Sequence, residues 1–361
     1  MPQGLRHMIF AWLTCITFSH PVLAQDTINL TYATYLPQSF TFVQVDDWFM
    51  NQVTERTDGR VQFTKYYGAS LLKALDVFPG LSQGAADLGT GAPGYNVDML
   101  PLSSVIQPYI TEQVDAAVQA FIDLYDANDA LKNEWESRNL RLVYALAAVE
   151  NTLWSDVPVT TDEDLQGMRI RATLGIAQSL DSLGATPVAL GMQDGVEALK
   201  RGAIDGFASL PFDLAVQVGL HEAASHGNDA GRMGVYGIVA LAFHKPMWDS
   251  LPPEVQQVME AVAAEVPAKF LELTNEAVSE AVDTLLATES LTVARPTEAE
   301  NQRWKEASAQ QVWDQWLADM QERELDGRPV LEQFIELVRQ YEPESGYTPG
   351  FDLYEQRKAG D

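Results

Sequence analysis

Cysteine is almost absent from this 361-residue chain, which has one, Cys15. A single thiol excludes an internal disulfide framework and a cysteine-built metal centre. Basic residues are scarce as well, 23 Lys and Arg against 51 Asp and Glu, giving a formal net charge of −28. A surface of that sign repels nucleic acid and anionic lipid, so neither is expected as a partner. Apart from Met8 to Phe18, no stretch approaches the roughly 18 uninterrupted apolar residues of a membrane span, and direct membrane insertion is not expected. The sequence also lacks a GxSxG elbow, a GxxxxGK[ST] phosphate loop and a GxGxxG fingerprint. In HEAASH, Ser225 stands where a zinc-protease helix needs its second histidine, so this stretch reads as a surface helix end. No cofactor and no metal is expected. The many carboxylates form no recognisable catalytic pair and read as a solvated face.

What is present begins with a leader. Residues 1–24 combine Arg6, a short apolar core and small residues at Val22 and Ala24, the pattern of a secretory signal peptide. Cys15 lies inside it, so a mature chain from about Gln25 has no thiol. A lipidated Cys15 is the weaker reading, because Trp12, Leu13 and Thr14 are poor neighbours for lipoprotein processing. The expected product is periplasmic and monomeric.

The mature chain is long enough for two α/β domains. TINLTYATYLP reads as a strand, Phe42 to Thr57 as a helix and VQFTKYY as a second strand; LLKALDVFPGLSQGAADLG reads as a helix turning into a third strand. That rhythm predicts a doubly wound, mostly parallel sheet. It restarts with MRIRAT, IAQSLDSLG, TPVAL, GVEALKRGAID and GFASLP, a second αβ run, after which GVYGIVALAFHK is a long strand placed to return to the first sheet. A helical stretch of over thirty residues follows Leu251, with a kink expected at Pro267. Two more helices and a polar tail close the sequence. The expected division is 25–149 plus about 236–265 for the first domain, 150–235 plus about 266–345 for the second, and 346–361 as tail.

Arg171 falls at the carboxyl end of a predicted strand, where open α/β sheets lodge ligands. Its guanidinium stays charged at any working pH and offers a planar fork that suits a carboxylate. The competing reading is a structural salt bridge to Asp162 or Glu163. Aromatics gather near other predicted strand ends: Tyr35, Tyr66, Tyr67, Tyr95, Trp154, Phe212 and Tyr236. Singly each suits a core; together they suit a cleft that closes over an organic ligand.

Four segments carry a resemblance. VTTDEDLQGMRIRAT, YYGASLLKALDVFPGLSQGAADLG, EALKRGAIDG and FHKPMWDSLPPEVQQVMEAV resemble, in the family's order, signatures of the DctP-type solute-binding proteins of tripartite ATP-independent periplasmic (TRAP) transporters. The resemblance implies a two-domain α/β clamp of the periplasmic-binding-protein kind, with mixed sheets, chain crossing between the domains and a long helix spanning both. It implies a non-catalytic receptor that captures a small organic monocarboxylate and hands it to membrane permease subunits. Arg171 falls on the arginine that pairs with the substrate carboxylate in that family. Asn151 stands where sialate-binding members carry a second arginine, and DGFASLP lacks the family's usual asparagine; both argue against sialic acid. The reading therefore assigns hydrogen bonds to Asn151 and Ser209. It gives the body of the site to Tyr35, Tyr95, Trp154, Phe212 and Tyr236, with help from Lys73 and an apolar hint from Phe207. The alternatives are an exported enzyme, or the binding subunit of an ATP-driven importer or sensor.

Overall fold

The computed structural model describes residues 26–360; the proposed leader lies outside them. Two sheets organise the chain. The first contains β1 (Ile28–Thr34), β2 (Val61–Tyr66), β3 (Leu88–Gly91), β4 (Leu140–Ala147) and, from far downstream, β10 (Ile238–His244). Their order is β2-β1-β3-β10-β4. β1 runs parallel to β2 and β3, whereas β10 lies antiparallel between β3 and β4. The burial pattern explains the order. β2 alternates buried or half-buried with exposed positions, as an edge strand does, while IVALAF in β10 is buried at every position, as a central strand requires. Gly89 in β3 is needed for this packing, because a Cβ there would come within 2.5 Å of the Ala33 carbonyl oxygen.

The second sheet is built from short pieces: β5 (Leu153–Ser155), β6 (Arg169–Arg171), β7 (Thr186–Val188), β8 (Gly206–Phe207), β9 (His226–Asn228) and β11 (Thr292–Val293). Their order is β11-β9-β5-β8-β6-β7. Each sheet with its helices forms one lobe. The chain leaves the first lobe after β4 and returns before β10, and the two crossing segments are bonded to each other through Ala148 N–H to Gly237 O (3.0 Å) and Asn151 N–H to Gly234 O (2.9 Å). β5, β9 and β11, short segments that the sequence reading left unassigned, are strands completed by distant partners.

The long helical stretch is two helices, Pro253–Ala263 and Val266–Leu286, broken at Ala264 and Glu265. Pro267 has no N–H to give the Ala263 carbonyl, which places the break just ahead of it. The helix Val266–Leu286 packs against helices from both lobes, Thr41–Arg56 and Phe212–Gln217. The stretch expected as one helix before β3 is helical only over Val77–Ser82. The expected polar tail is instead a helix, Gly350–Gly360, docked on the body through buried Phe351 and Tyr354. Among the described residues no helix is long and apolar enough to cross a membrane.

Candidate functional site

β6 pairs with β7 and β8, and Arg171 is its last residue. The side chain is buried, with 4% of its surface exposed. Its Nε donates to Leu190 O at 3.0 Å, and its Nη1 to Ala208 O at 3.1 Å and Ser209 O at 2.9 Å. The guanidinium lies 4.8 Å from the centroid of the Phe207 ring, a cation–π platform. Phe207 therefore supports the cation, a role that its place in the sequence did not suggest. Among the described residues no carboxylate lies within ion-pair distance of Arg171. The expected alternative of a bridge to Asp162 or Glu163 is not formed, since those two side chains gather around Glu300. Burial pulls the Arg171 pKa down, yet an arginine starts so high that it remains charged. A buried cation whose neighbours are carbonyls and an aromatic face lacks a counter-ion.

Tyr236 and Tyr95 lie close enough to act on this charge, and Tyr35 lies beside both of them. Tyr35 lies one residue past β1, Tyr95 ends the turn Pro93–Tyr95 after β3, and Tyr236 sits on the returning crossing segment. Tyr35 and Tyr95 meet edge to face at 5.7 Å. None of the three hydroxyls has a hydrogen-bond partner among the described residues, whereas Tyr32, Tyr67, Tyr144 and Tyr347 each donate to a carboxylate. Burial raises the Tyr236 pKa; Arg171 opposes that rise, and Tyr95 and Asp213 add to it.

Asn151, on the outgoing crossing segment, is fully buried. Its Oδ1 accepts from Ser209 N–H at 2.7 Å, while its Nδ2 is buried with no partner. Ser209 holds a left-handed backbone (φ 58°), and its Oγ accepts from Thr173 N–H at 2.8 Å. Asn151 thereby fixes the loop whose carbonyl holds Arg171.

Other expected wall residues lie elsewhere. Trp154 is wholly buried, with its indole N–H on Thr152 Oγ1 at 2.8 Å and its ring 6.1 Å from Phe351. Phe212 is also wholly buried and meets Phe351 at 5.0 Å. Both are core residues, covered by the C-terminal helix that the sequence reading took for a tail. Lys73 is exposed. His221, expected at a surface, is buried at the end of a short helix, Leu220–Ala223.

Contacts between the lobes include two regions. At the lip, Leu174 packs on Gly94, where a Cβ would approach Leu174 Cδ1 to 2.8 Å. At the back, Thr41 Oγ1 donates to Asp213 Oδ2 at 3.1 Å and Gln217 Nε2 to Ser39 O at 3.2 Å. These two bonds border a cavity of about 340 Å³ against the helix Val266–Leu286. The carboxylates of Asp162, Glu163 and Glu300 lie close enough to share a cation. Glu300, however, already pairs with Arg303 and accepts from the Trp304 indole at 3.1 Å.

Residues 32–319 match the family model described as bacterial extracellular solute-binding protein, family 7. The ectoine-binding periplasmic protein TeaA of Halomonas elongata is 22% identical over 82% of this chain and 86% of its own. A monocarboxylate 2-oxoacid-binding periplasmic protein of Nostoc is 23% identical over 74% of this chain and 77% of its own. Among solved structures, a TRAP periplasmic solute-binding protein from Desulfovibrio salexigens superposes with a TM-score of 0.78 at 26% identity, covering 90% of this chain and 98% of that one. One from Rhodoferax ferrireducens, in complex with copurified benzoate, also reaches 0.78, at 22% identity and over 89% and 100% of the two chains.

Proposed function

We propose a function from this premise: the chain belongs to the bacterial extracellular solute-binding proteins of family 7, which are binding proteins and not enzymes. It captures a small organic monocarboxylate between its lobes in the periplasm and delivers it to TRAP-type permease subunits. Arg171 faces the carboxylate, and Tyr35, Tyr95, Tyr236 and Asn151 supply polar contacts around it. The observation that carries this reading is the buried guanidinium of Arg171, held by carbonyls and without an acid beside it. The relatives support it, because ectoine, 2-oxo acids and benzoate each bear one carboxylate. The lobes correspond in this reading to 25–149 plus about 236–265, and 150–235 plus about 266–345, hinged at the crossings.

A thermal-shift screen over organic acids tests the reading. A ligand at a hundred times its Kd stabilises the folded chain by about 2.7 kcal/mol. It should be recovered unchanged after incubation. Recovery of a converted product would replace the receptor with an enzyme.

A further inference from the structure

We propose that the C-terminal segment, residues 345–360, is a strap across the hinge that restrains the two lobes from parting. The proposal rests on the reading of the lobes as a clamp and concerns what sets the resting state of that clamp. The segment lies beyond residues 32–319, the part of the chain that matches the family model.

Its attachments run in order from one lobe to the other. The chain arrives from the helix Gly327–Tyr341, which packs on Val114–Ala127, a helix that itself packs on β4 of the first sheet. The start of the strap is tied back to that first lobe: the Ser345 hydroxyl donates to Asp115 Oδ1 at 2.6 Å and the Gly346 N–H to Asp115 Oδ2 at 2.8 Å. The outgoing crossing comes next, where the buried Glu150 accepts from the Tyr347 hydroxyl and from Gly350 N–H at 2.6 Å. One oxygen of Asp352 then meets Arg232 of the returning crossing at 3.1 Å and Arg295 at 2.7 Å. Arg295 follows β11 and pairs with the buried Asp229, just past β9, so this end of the strap belongs to the second lobe. Phe351 completes the attachment, buried against Trp154 of β5 and Phe212.

The crossing that Asp352 grips is the strained one. Ala230, Gly231 and Arg232 are left-handed in succession, at φ 49°, 65° and 55°, and a non-glycine residue stays in that region only when its surroundings hold it there. Arg232 is held from two directions. Glu112, just ahead of the helix Val114–Ala127, takes its Nη1, while Asp352 of the strap takes its Nη2. Parting of the lobes turns the crossings, and the strap's bonds to Asp115, Glu150 and Arg232 join bodies that would then move against one another. Breaking them strands buried carboxylates without new partners, so opening meets a penalty that the crossings alone do not supply.

Deleting the strap would uncover Trp154 and Phe212 and put folding at risk, so point variants test the idea. D115A/Y347F cuts the strap from the first lobe and the outgoing crossing while leaving Phe351 in place. R357A removes bonds to Ser279 and Asp283, which lie together on the helix Val266–Leu286, and serves as the control. Solution scattering without ligand, well below the melting temperature, should give a larger radius of gyration for D115A/Y347F than for wild type, and the wild-type value for R357A. Titration calorimetry with benzoate, 2-oxobutyrate and ectoine adds a second readout. For the acid that wild type binds tightest, D115A/Y347F should lose about threefold or more in affinity, because less of it rests in the closed arrangement, and R357A should lose nothing. A ligand-free radius and an affinity equal to wild type in D115A/Y347F overturn the strap and leave the receptor standing, even if that variant melts lower. Equal losses in R357A also overturn it. Binding of none of the three acids by wild type counts against the receptor reading instead, and the ligand-free radii still decide the strap.

Discussion

Arg171 does two jobs, and its substitution should separate them. Its Nε and Nη1 close three carbonyls, so R171A should melt lower even without ligand, by about 1–3 kcal/mol for acceptors left unpaired. It should also lose roughly a hundredfold or more in affinity, because the ligand's anion would be buried without a partner. R171K keeps a charge but cannot reach three carbonyls in one plane, so it should recover affinity only in part. Calorimetry beside ligand-free melts reads both effects. This residue stood out in the sequence because it is a cation at a strand end in an acidic chain. Its partners did not stand out, since carbonyl oxygens belong to every residue and only the fold brings Leu190, Ala208 and Ser209 to one place.

The C-terminal helix shows what the sequence hides at the scale of elements. Strong periodicity made the helices Thr41–Arg56 and Gly327–Tyr341 legible, and the apolar run of β10 announced a long strand returning to the first sheet. GFDLYEQRKAG has few apolar positions, and its burial depends on aromatics far away in sequence, Trp154 and Phe212. Missing that helix is what made those two rings look like a ligand wall. Gly350 begins the helix where no Cβ would fit, 2.2 Å from Phe212 Cδ1. F351A should therefore cost about 3–5 kcal/mol of stability, measured by denaturant unfolding, while ligand affinity below the transition stays near wild type.

The same helix carries a pH signature. Glu150, on the outgoing crossing segment, accepts from Gly350 N–H at 2.6 Å and from the Tyr347 hydroxyl. Burial pushes its pKa from 4.5 up to about 8, against the pull of those two donors. Between these values the folded chain holds a proton that the unfolded chain has released, so stability falls as pH rises through that window. The melting temperature of wild type should drop between pH 5 and pH 8 more steeply than that of E150Q. Gln does not titrate, and its carbonyl still accepts from Gly350. Parallel slopes would remove Glu150 from the account.

For the whole molecule, the proposed capture between lobes predicts that they hinge about the crossings, and Thr41 to Asp213 and Gln217 to Ser39 are among the bonds that join them. A ligand that touches both lobes favours the closed arrangement only through that differential contact. Solution scattering should give a smaller radius of gyration with saturating ligand than without. The double variant T41V/Q217A should have a larger ligand-free radius than wild type and approach the wild-type value when saturated. A ligand-free radius equal to wild type would show that the two bonds do not restrain the lobes.

β10 enters the first sheet between β3 and β4 only after the chain has travelled out through the second lobe and back. The facing edges of β3 and β4 thus wait, unpaired, for a segment made much later, and neither lobe can finish first. Pairings so distant along the chain are slow to form, because the closure entropy must be met before the contacts repay it. The first sheet of this protein therefore closes only once β10, at Ile238–His244 of 361 residues, has been made, and until then the chain remains threadable through a narrow channel.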